Sequence, residues 1–166
     1  MALCSLTAIA VHAQQRVIAD FDNVSPEACW GWDEQPEAVA NPFKTGINTS
    51  DQVLQWKRSA GSWKAFAFSF DGVDISKNPI VSFKFYSPVK GTISARIETG
   101  NEGETIFFDL QIKETNKWVN YTTDITPLLK TVKVFTQASF FVNPTNEADT
   151  STYYLDDLVA AQKNKR

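Results

Sequence analysis

The chain has a single histidine, His12, and it lies among the first fifteen residues. If those residues are a processed leader, no histidine remains. Ser-His-Asp triads, Cys-His pairs and His-ligated zinc are then all excluded. Cysteine is almost as scarce, with Cys4 and Cys29 alone. Without the leader Cys29 has no partner, so the fold must be held by its core rather than by disulfides. With no histidine to activate it, Cys29 reads as a half-buried structural thiol. An excess of basic charge is also missing. Sixteen Lys and Arg stand against nineteen Asp and Glu, a net charge of −3, so nucleic acid is not an expected partner. No apolar run approaches the ~20 residues that a membrane-spanning helix needs. Helical periodicity is slight. Glu37-Ala38-Val39-Ala40 supports no more than one turn. Asp124 to Lys130 reads as a single turn, with Thr126 as its N-cap and Pro127 as its first residue.

What is present is hydrophobic and aromatic: 43% and 13% of 166 residues, enough for one domain with a sizeable core. The start, MALCSLTAIAVHAQQ, is uncharged and mostly apolar through residue 11. Val11 and Ala13 then place small residues at −3 and −1 of a cleavage point. Residues 1–13 thus read as a signal peptide, and 14–166 as one domain delivered to the periplasm or cell surface. The basic n-region is absent, so the true start is expected upstream.

The dominant pattern has period two. Phe66, Phe68 and Phe70 alternate with Ala65, Ala67 and Ser69. Val81, Phe83 and Phe85 alternate with Ser82, Lys84 and Tyr86, and Ile93, Ala95 and Ile97 with Thr92, Ser94 and Arg96. Similar runs cover Ile106 to Ile112, Trp118 to Ile125, Val132 to Val142 and Tyr153 to Val159. Turn residues separate them, among them Asp71-Gly72, Asn78-Pro79, Ser87-Pro88 and Asn143-Pro144. Short strands with one face on the core and one on solvent predict an all-β fold, two antiparallel sheets stacked as a sandwich.

Residues 41–56, NPFKTGINTSDQVLQW, resemble the NPxKSGINTSDKV segment of galactose-binding-like jelly-roll modules. These modules occur in secreted glycan-degrading proteins of Bacteroidetes bacteria. Other segments agree in order: Ala19-Asp20-Phe21-Asp22, Lys84-Phe85-Tyr86-Ser87-Pro88, Asn116-Lys117-Trp118 and Tyr153-Tyr154-Leu155-Asp156-Asp157-Leu158. The similarity spans about residues 17–160. It implies a jelly roll that binds polysaccharide or oligosaccharide without catalysis, in company with other surface glycan-utilisation proteins. It also implies that the first and last strands lie side by side. Related modules hold a structural Ca2+ there, for which Asp22 and Asp157 are the expected ligands among Asp20, Asp22, Asp156 and Asp157. No catalytic cofactor is expected.

Sugar recognition needs an apolar ring to cover the C–H face of a pyranose and polar groups to read its hydroxyls. Trp30 and Trp32, beside Asp33 and Glu34 in a loop-like stretch, supply two indoles, of which one is expected to pack inward and the other to be exposed. Trp63 follows a turn at a strand mouth and is a third candidate. Trp56 and Trp118 lie in alternating strands and are expected in the core. Tyr86 and Arg96, with Glu98, are expected to line a groove from neighbouring strands, the guanidinium offering donors to hydroxyls or to a uronate. Two competing readings remain open. One is a protein-docking or scaffold module. The other is a small glycoside hydrolase or lyase using carboxylates among Glu98, Glu102, Glu104 and Asp109.

Overall fold

Eleven strands build two antiparallel sheets in a computed structural model that describes residues 14–99, 105–131 and 133–164. The signal-peptide reading, Glu102 and Glu104 lie outside the described residues. The strands are β1 (Gln15–Ala19), β2 (Ala28–Gly31), β3 (Glu37–Ala40), β4 (Gln52–Lys57), β5 (Ala65–Asp74) and β6 (Ile80–Tyr86). They continue as β7 (Gly91–Glu98), β8 (Thr105–Ile112), β9 (Trp118–Asp124), β10 (Val134–Val142) and β11 (Thr152–Ala161). One sheet has six strands in the order β3-β4-β11-β6-β9, with β1 also paired to β11. The other has five, in the order β2-β5-β10-β7-β8. The first and last strands do lie side by side, β1 antiparallel to β11. No helix among the described residues is long and apolar enough to cross a membrane.

The alternation sorts the side chains as anticipated. Phe66, Phe68 and Phe70 of β5, Ile93, Ala95 and Ile97 of β7, and Ala138 and Phe140 of β10 all turn into one core. Val81, Phe83 and Phe85 of β6 meet them from the six-stranded sheet. Trp56 and Trp118 are buried, and each satisfies its indole N–H on a backbone carbonyl, Glu34 O at 3.1 Å and Phe43 O at 2.9 Å. Cys29 is half-buried against the core, where burial pushes its thiol up and away from reactivity.

Four local expectations need correction. Glu37–Ala40 is an edge strand, not a turn of helix, because pairing with β4 decides the conformation of so short a segment. The turn after β9 is a 3-10 turn, Thr126–Leu128, with Ile125 at its N-cap. Thr126 lies inside it, and its hydroxyl and amide both donate to the Asp124 carboxylate. The Cys29-Trp30 stretch is strand rather than loop, and its two tryptophans do not split between faces. Trp30 pairs with Ala67 while Cys29 pairs with the core residue Phe68, so Trp30 faces outward. Trp32 continues on that side, because residues two apart in an extended chain share a face.

The fourth concerns Tyr86. It ends β6 in the six-stranded sheet, whereas Arg96 is in β7 of the other. The crossover between sheets separates them. Tyr86 points to the outer side of its own sheet but is only 6% exposed. Phe43 lies flat on it, ring centroids 4.1 Å apart and planes at 3°, and Trp118 and Tyr154 meet it edge-on. The loop carrying Phe43 is the NPFKTGINTSD segment. Asn41 accepts from Phe43 N and donates to Ser50 O, and Asn48 reaches Asp156 at 2.8 Å. The segment most characteristic of the family resemblance is therefore a plug over the part of the six-stranded sheet's outer face that Tyr86, Trp118 and Tyr154 form.

Candidate functional site

The aromatic part of that face is plugged, whereas the outer face of the five-stranded sheet carries exposed rings. Strand registers set its side chains in rows. Trp30, Ala67, Ser139, Arg96 and Phe107 form one row across all five strands. Ala28, Ser69, Gln137, Glu98 and Thr105 form the next. On the other side Phe141 pairs with Ala65 and Ser94, and Ser94 with Asp109. Trp32 extends that row past the end of β2 by donating its amide to Ala65 O at 3.1 Å. The middle strand positions are small, and Ala67 and Ser139 are buried although they face away from the core. Their larger neighbours in the row shield them.

Three rings remain exposed. Trp32 is 45% exposed, Trp63 58% and Phe107 59%. Trp32 and Trp63 converge from different segments on Phe141, at centroid distances of 5.7 and 6.0 Å. A second tie holds their neighbours together. Lys64 pairs with Asp33, and Ser59 Oγ donates to the same carboxylate at 2.7 Å. Those hydrogen bonds, the one from Lys64 above all, hold the Asp33 carboxyl below the usual range. Phe107 marks the far side of the face. Four strand spacings separate β8 from β2, or about 19 Å.

Between the rings the surface is polar. Arg96 Nη2 lies 3.1 Å from Glu98 Oε2, and its guanidinium carbon sits 5.3 Å from the Phe107 ring centroid. Glu98 Oε1 accepts from Gln137 Nε2 and from Ser139 Oγ. Ser94 Oγ donates to Asp109 at 2.5 Å. Arg96 Nε is buried without a hydrogen-bond partner.

Of the residues singled out from sequence, Trp30, Trp32, Trp63 and Arg96 share this region, and Tyr86 does not. Phe107 and Phe141 escaped the sequence reading. Each has an apolar neighbour, Ile106 and Phe108 or Phe140 and Val142, so alternation seemed broken there. The signal lay in the wider period: Phe107, Asp109 and Gln111 against Ile106, Phe108, Leu110 and Ile112.

Both expected cation ligands, Asp22 and Asp157, already have protein partners. Asp22 accepts from Gln52 N at 2.7 Å and Asp51 N at 3.2 Å. Asp157 already pairs with Lys84 at 2.5 Å. Asp156 is fully buried and bound by Asn48 and by Asp157 N, and burial raises its carboxyl. No group of three or more His, Cys, Asp or Glu that could hold a metal occurs among the described residues. A donor set whose carboxylates face a lysine, an amide and backbone N–H groups does not fit a divalent cation.

No protein-family model matches the chain, and no curated protein does. Solved structures do. A single-site variant of a family 29 carbohydrate-binding module complexed with mannohexaose has a TM-score of 0.62 at 16% identity, covering 91% of this chain and 93% of that one. Another variant of that module, complexed with cellulohexaose, gives 0.61 at 16%, covering 91% and 92%. The family 11 carbohydrate-binding module from Clostridium thermocellum, in complex with a β-1,3-1,4-mixed-linked tetrasaccharide, gives 0.64 at 11%, covering 92% and 98%. At these identities the likeness establishes the fold: a jelly-roll sandwich of the kind that carbohydrate-binding modules use.

Proposed function

We propose that the protein is a secreted, noncatalytic carbohydrate-binding module, and that its ligand is a neutral glycan laid on the outer face of the five-stranded sheet. The observation that carries this reading is the gathering of Trp32, Trp63 and Phe107 on one side of the molecule, all exposed, around a polar floor. Large rings standing in water are unfavourable unless they meet a partner. A pyranose offers the matching chemistry, a C–H face for the ring and hydroxyls for Arg96, Glu98, Gln137 and Asp109.

Charge chooses within sugars. The Arg96 guanidinium is neutralised by Glu98, and Lys64 by Asp33. Asp109 adds a carboxylate that has no cationic partner among the described residues and accepts from Ser94. A uronate would meet net repulsion here, whereas hydroxyls can both donate to and accept from these groups. The same hydrogen bonding occupies Glu98, which favours binding over glycoside hydrolysis.

Affinity electrophoresis against soluble mixed-linkage glucan, glucomannan and polygalacturonate tests this. Retention by at least one neutral polymer and none by polygalacturonate is expected. Trp63→Ala and Trp32→Ala should each weaken retention at least about tenfold, the loss of one stacked ring at about 1.4 kcal/mol. Retention by polygalacturonate alone would refute the choice of neutral sugar. Absence of binding at millimolar oligosaccharide would refute the reading as a whole.

A further inference from the structure

Next to the exposed rings, at the end of the sandwich, a guanidinium is fully buried. Arg58 follows β4, and none of its side chain is exposed. An arginine has five N–H groups, and all of these are used on backbone carbonyls. Nε donates to Val142 O at 3.0 Å. Nη1 donates to Ser59 O at 3.0 Å and to Asp149 O. Nη2 donates to Gly61 O at 2.7 Å and Asn143 O at 3.2 Å. The charge is balanced by the Asp149 carboxylate, 4.0 Å away and itself buried. Burial would raise that carboxyl, but donors from Tyr153, Asn143 and Ser151 outweigh it and keep the group anionic.

The five carbonyls belong to two stretches of chain. Ser59 and Gly61 precede Trp63, and Val142, Asn143 and Asp149 run from the last residue of β10 into its connection with β11. The same two stretches meet directly where Gly61 N donates to Glu147 O at 2.8 Å and Trp63 N to Pro144 O at 2.7 Å. Trp63 has φ of +56°, a left-handed conformation that costs a bulky residue about 1–2 kcal/mol. Such a conformation persists only where its surroundings over-determine it. Here the surroundings are these two stretches, which Arg58 ties together through five hydrogen bonds beside the two direct backbone bonds.

We propose that Arg58 is a positioning residue for the Trp63 ring platform: by filling every one of its donors with carbonyls from both stretches, it fixes the backbone that presents the indole. The consequence for sugar binding rests on the function proposed above. The positioning itself does not.

The test is Arg58→Lys in the full chain labelled with 5-fluorotryptophan. Lysine keeps the charge opposite Asp149 but has three donors on one atom, so at least two carbonyls lose their partner. The protein carries five tryptophans, and the Trp63 resonance is assigned with Trp63→Phe. In a cooperatively folded R58K, the Trp63 resonance should shift and broaden while those of Trp56 and Trp118 stay in place. An unmoved Trp63 resonance would overturn the proposal. Glycan affinity should fall about tenfold in R58K, and R58K should add nothing in a Trp63→Ala background. Full additivity of the two losses would also overturn it. If the wild type binds no glycan, the functional reading falls, and the resonance still decides the role of Arg58. If R58K does not fold, hydrogen exchange on the wild type decides. Gly61 and Trp63 amides should exchange as slowly as those of central strands, and exchange by local opening would refute a fixed platform.

Discussion

Phe140→Ala should lower stability by about 3–5 kcal/mol, while Phe141→Ala, the next residue along, should leave stability nearly intact and abolish most glycan retention. The two sit in β10, the middle strand of the five-stranded sheet, and point to opposite faces. Phe140 is 2% exposed. Its ring stacks on Phe66 at 5.3 Å and on Phe68 at 5.8 Å, and meets Phe83 of the opposite sheet edge-on at 5.1 Å. Removing it deletes the bridge between the layers and leaves a void that strands on both sides hold open. Phe141 is half-buried, and the rings that touch it are Trp32 and Trp63. Its removal takes away the support on which both indoles lean, at a cost of no more than about 1 kcal/mol in folding. Urea denaturation of both variants, read as a midpoint shift at constant m, separates the two effects when paired with affinity electrophoresis. Equal losses of stability would mean that the outer face is part of the core and not a surface kept for a ligand.

The contrast shows how far periodicity reaches. Alternation in β5, β6 and β7 identifies which side chains face the core, because a pleated strand leaves no other choice. It does not say which sheet a strand joins. Tyr86 and Arg96 both occupy the non-core side of consecutive strands, yet β6 pairs with β11 and β9, and β7 with β10 and β8. Only the order of strands across the sandwich reveals that one is under the Phe43 plug and the other on the open face. The family resemblance had the converse limit. Its most specific segment led correctly to a jelly roll, but the residues that carry it hold the plug, not the ring-bearing face. Trp32 and Trp63 were legible because a large ring beside turn residues is unusual in itself. Phe107 and Phe141 were not, because neighbouring apolar residues masked their period. β2 was missed because four residues are too few to show any period, and its pairing with β5 is what makes it a strand.

Gly91→Ala should be among the most damaging changes of a single methyl group at the described residues. Gly91 opens β7, and a Cβ built there would fall inside the Asn143 carboxamide, on its Oδ1. A flexible side chain could move aside, but Asn143 is pinned. Its Oδ1 accepts from Thr92 N at 2.9 Å, and its Nδ2 donates to Asp149 at 2.8 Å and to Tyr153 Oη at 3.0 Å. To make room, either β7 must shift against β10 or the carboxamide must leave buried partners unsatisfied. Overpacking costs about 1–3 kcal/mol, and each orphaned buried polar group about the same, so a loss of about 3 kcal/mol or more is expected. Asn143 has φ of +47°, which glycine adopts without penalty, so Asn143→Gly removes the obstacle while keeping the backbone. In a thermal-denaturation cycle Asn143→Gly alone should be costly, because it strips the carboxamide from Asp149 and Tyr153. Adding Gly91→Ala to it should then cost almost nothing. A coupling of about 2 kcal/mol or more between the two sites would place the obstacle in the Asn143 side chain. Simple additivity would place it in the β7 backbone instead, and would mean that the network around Arg58 and Asp149 yields more easily than its hydrogen bonds imply.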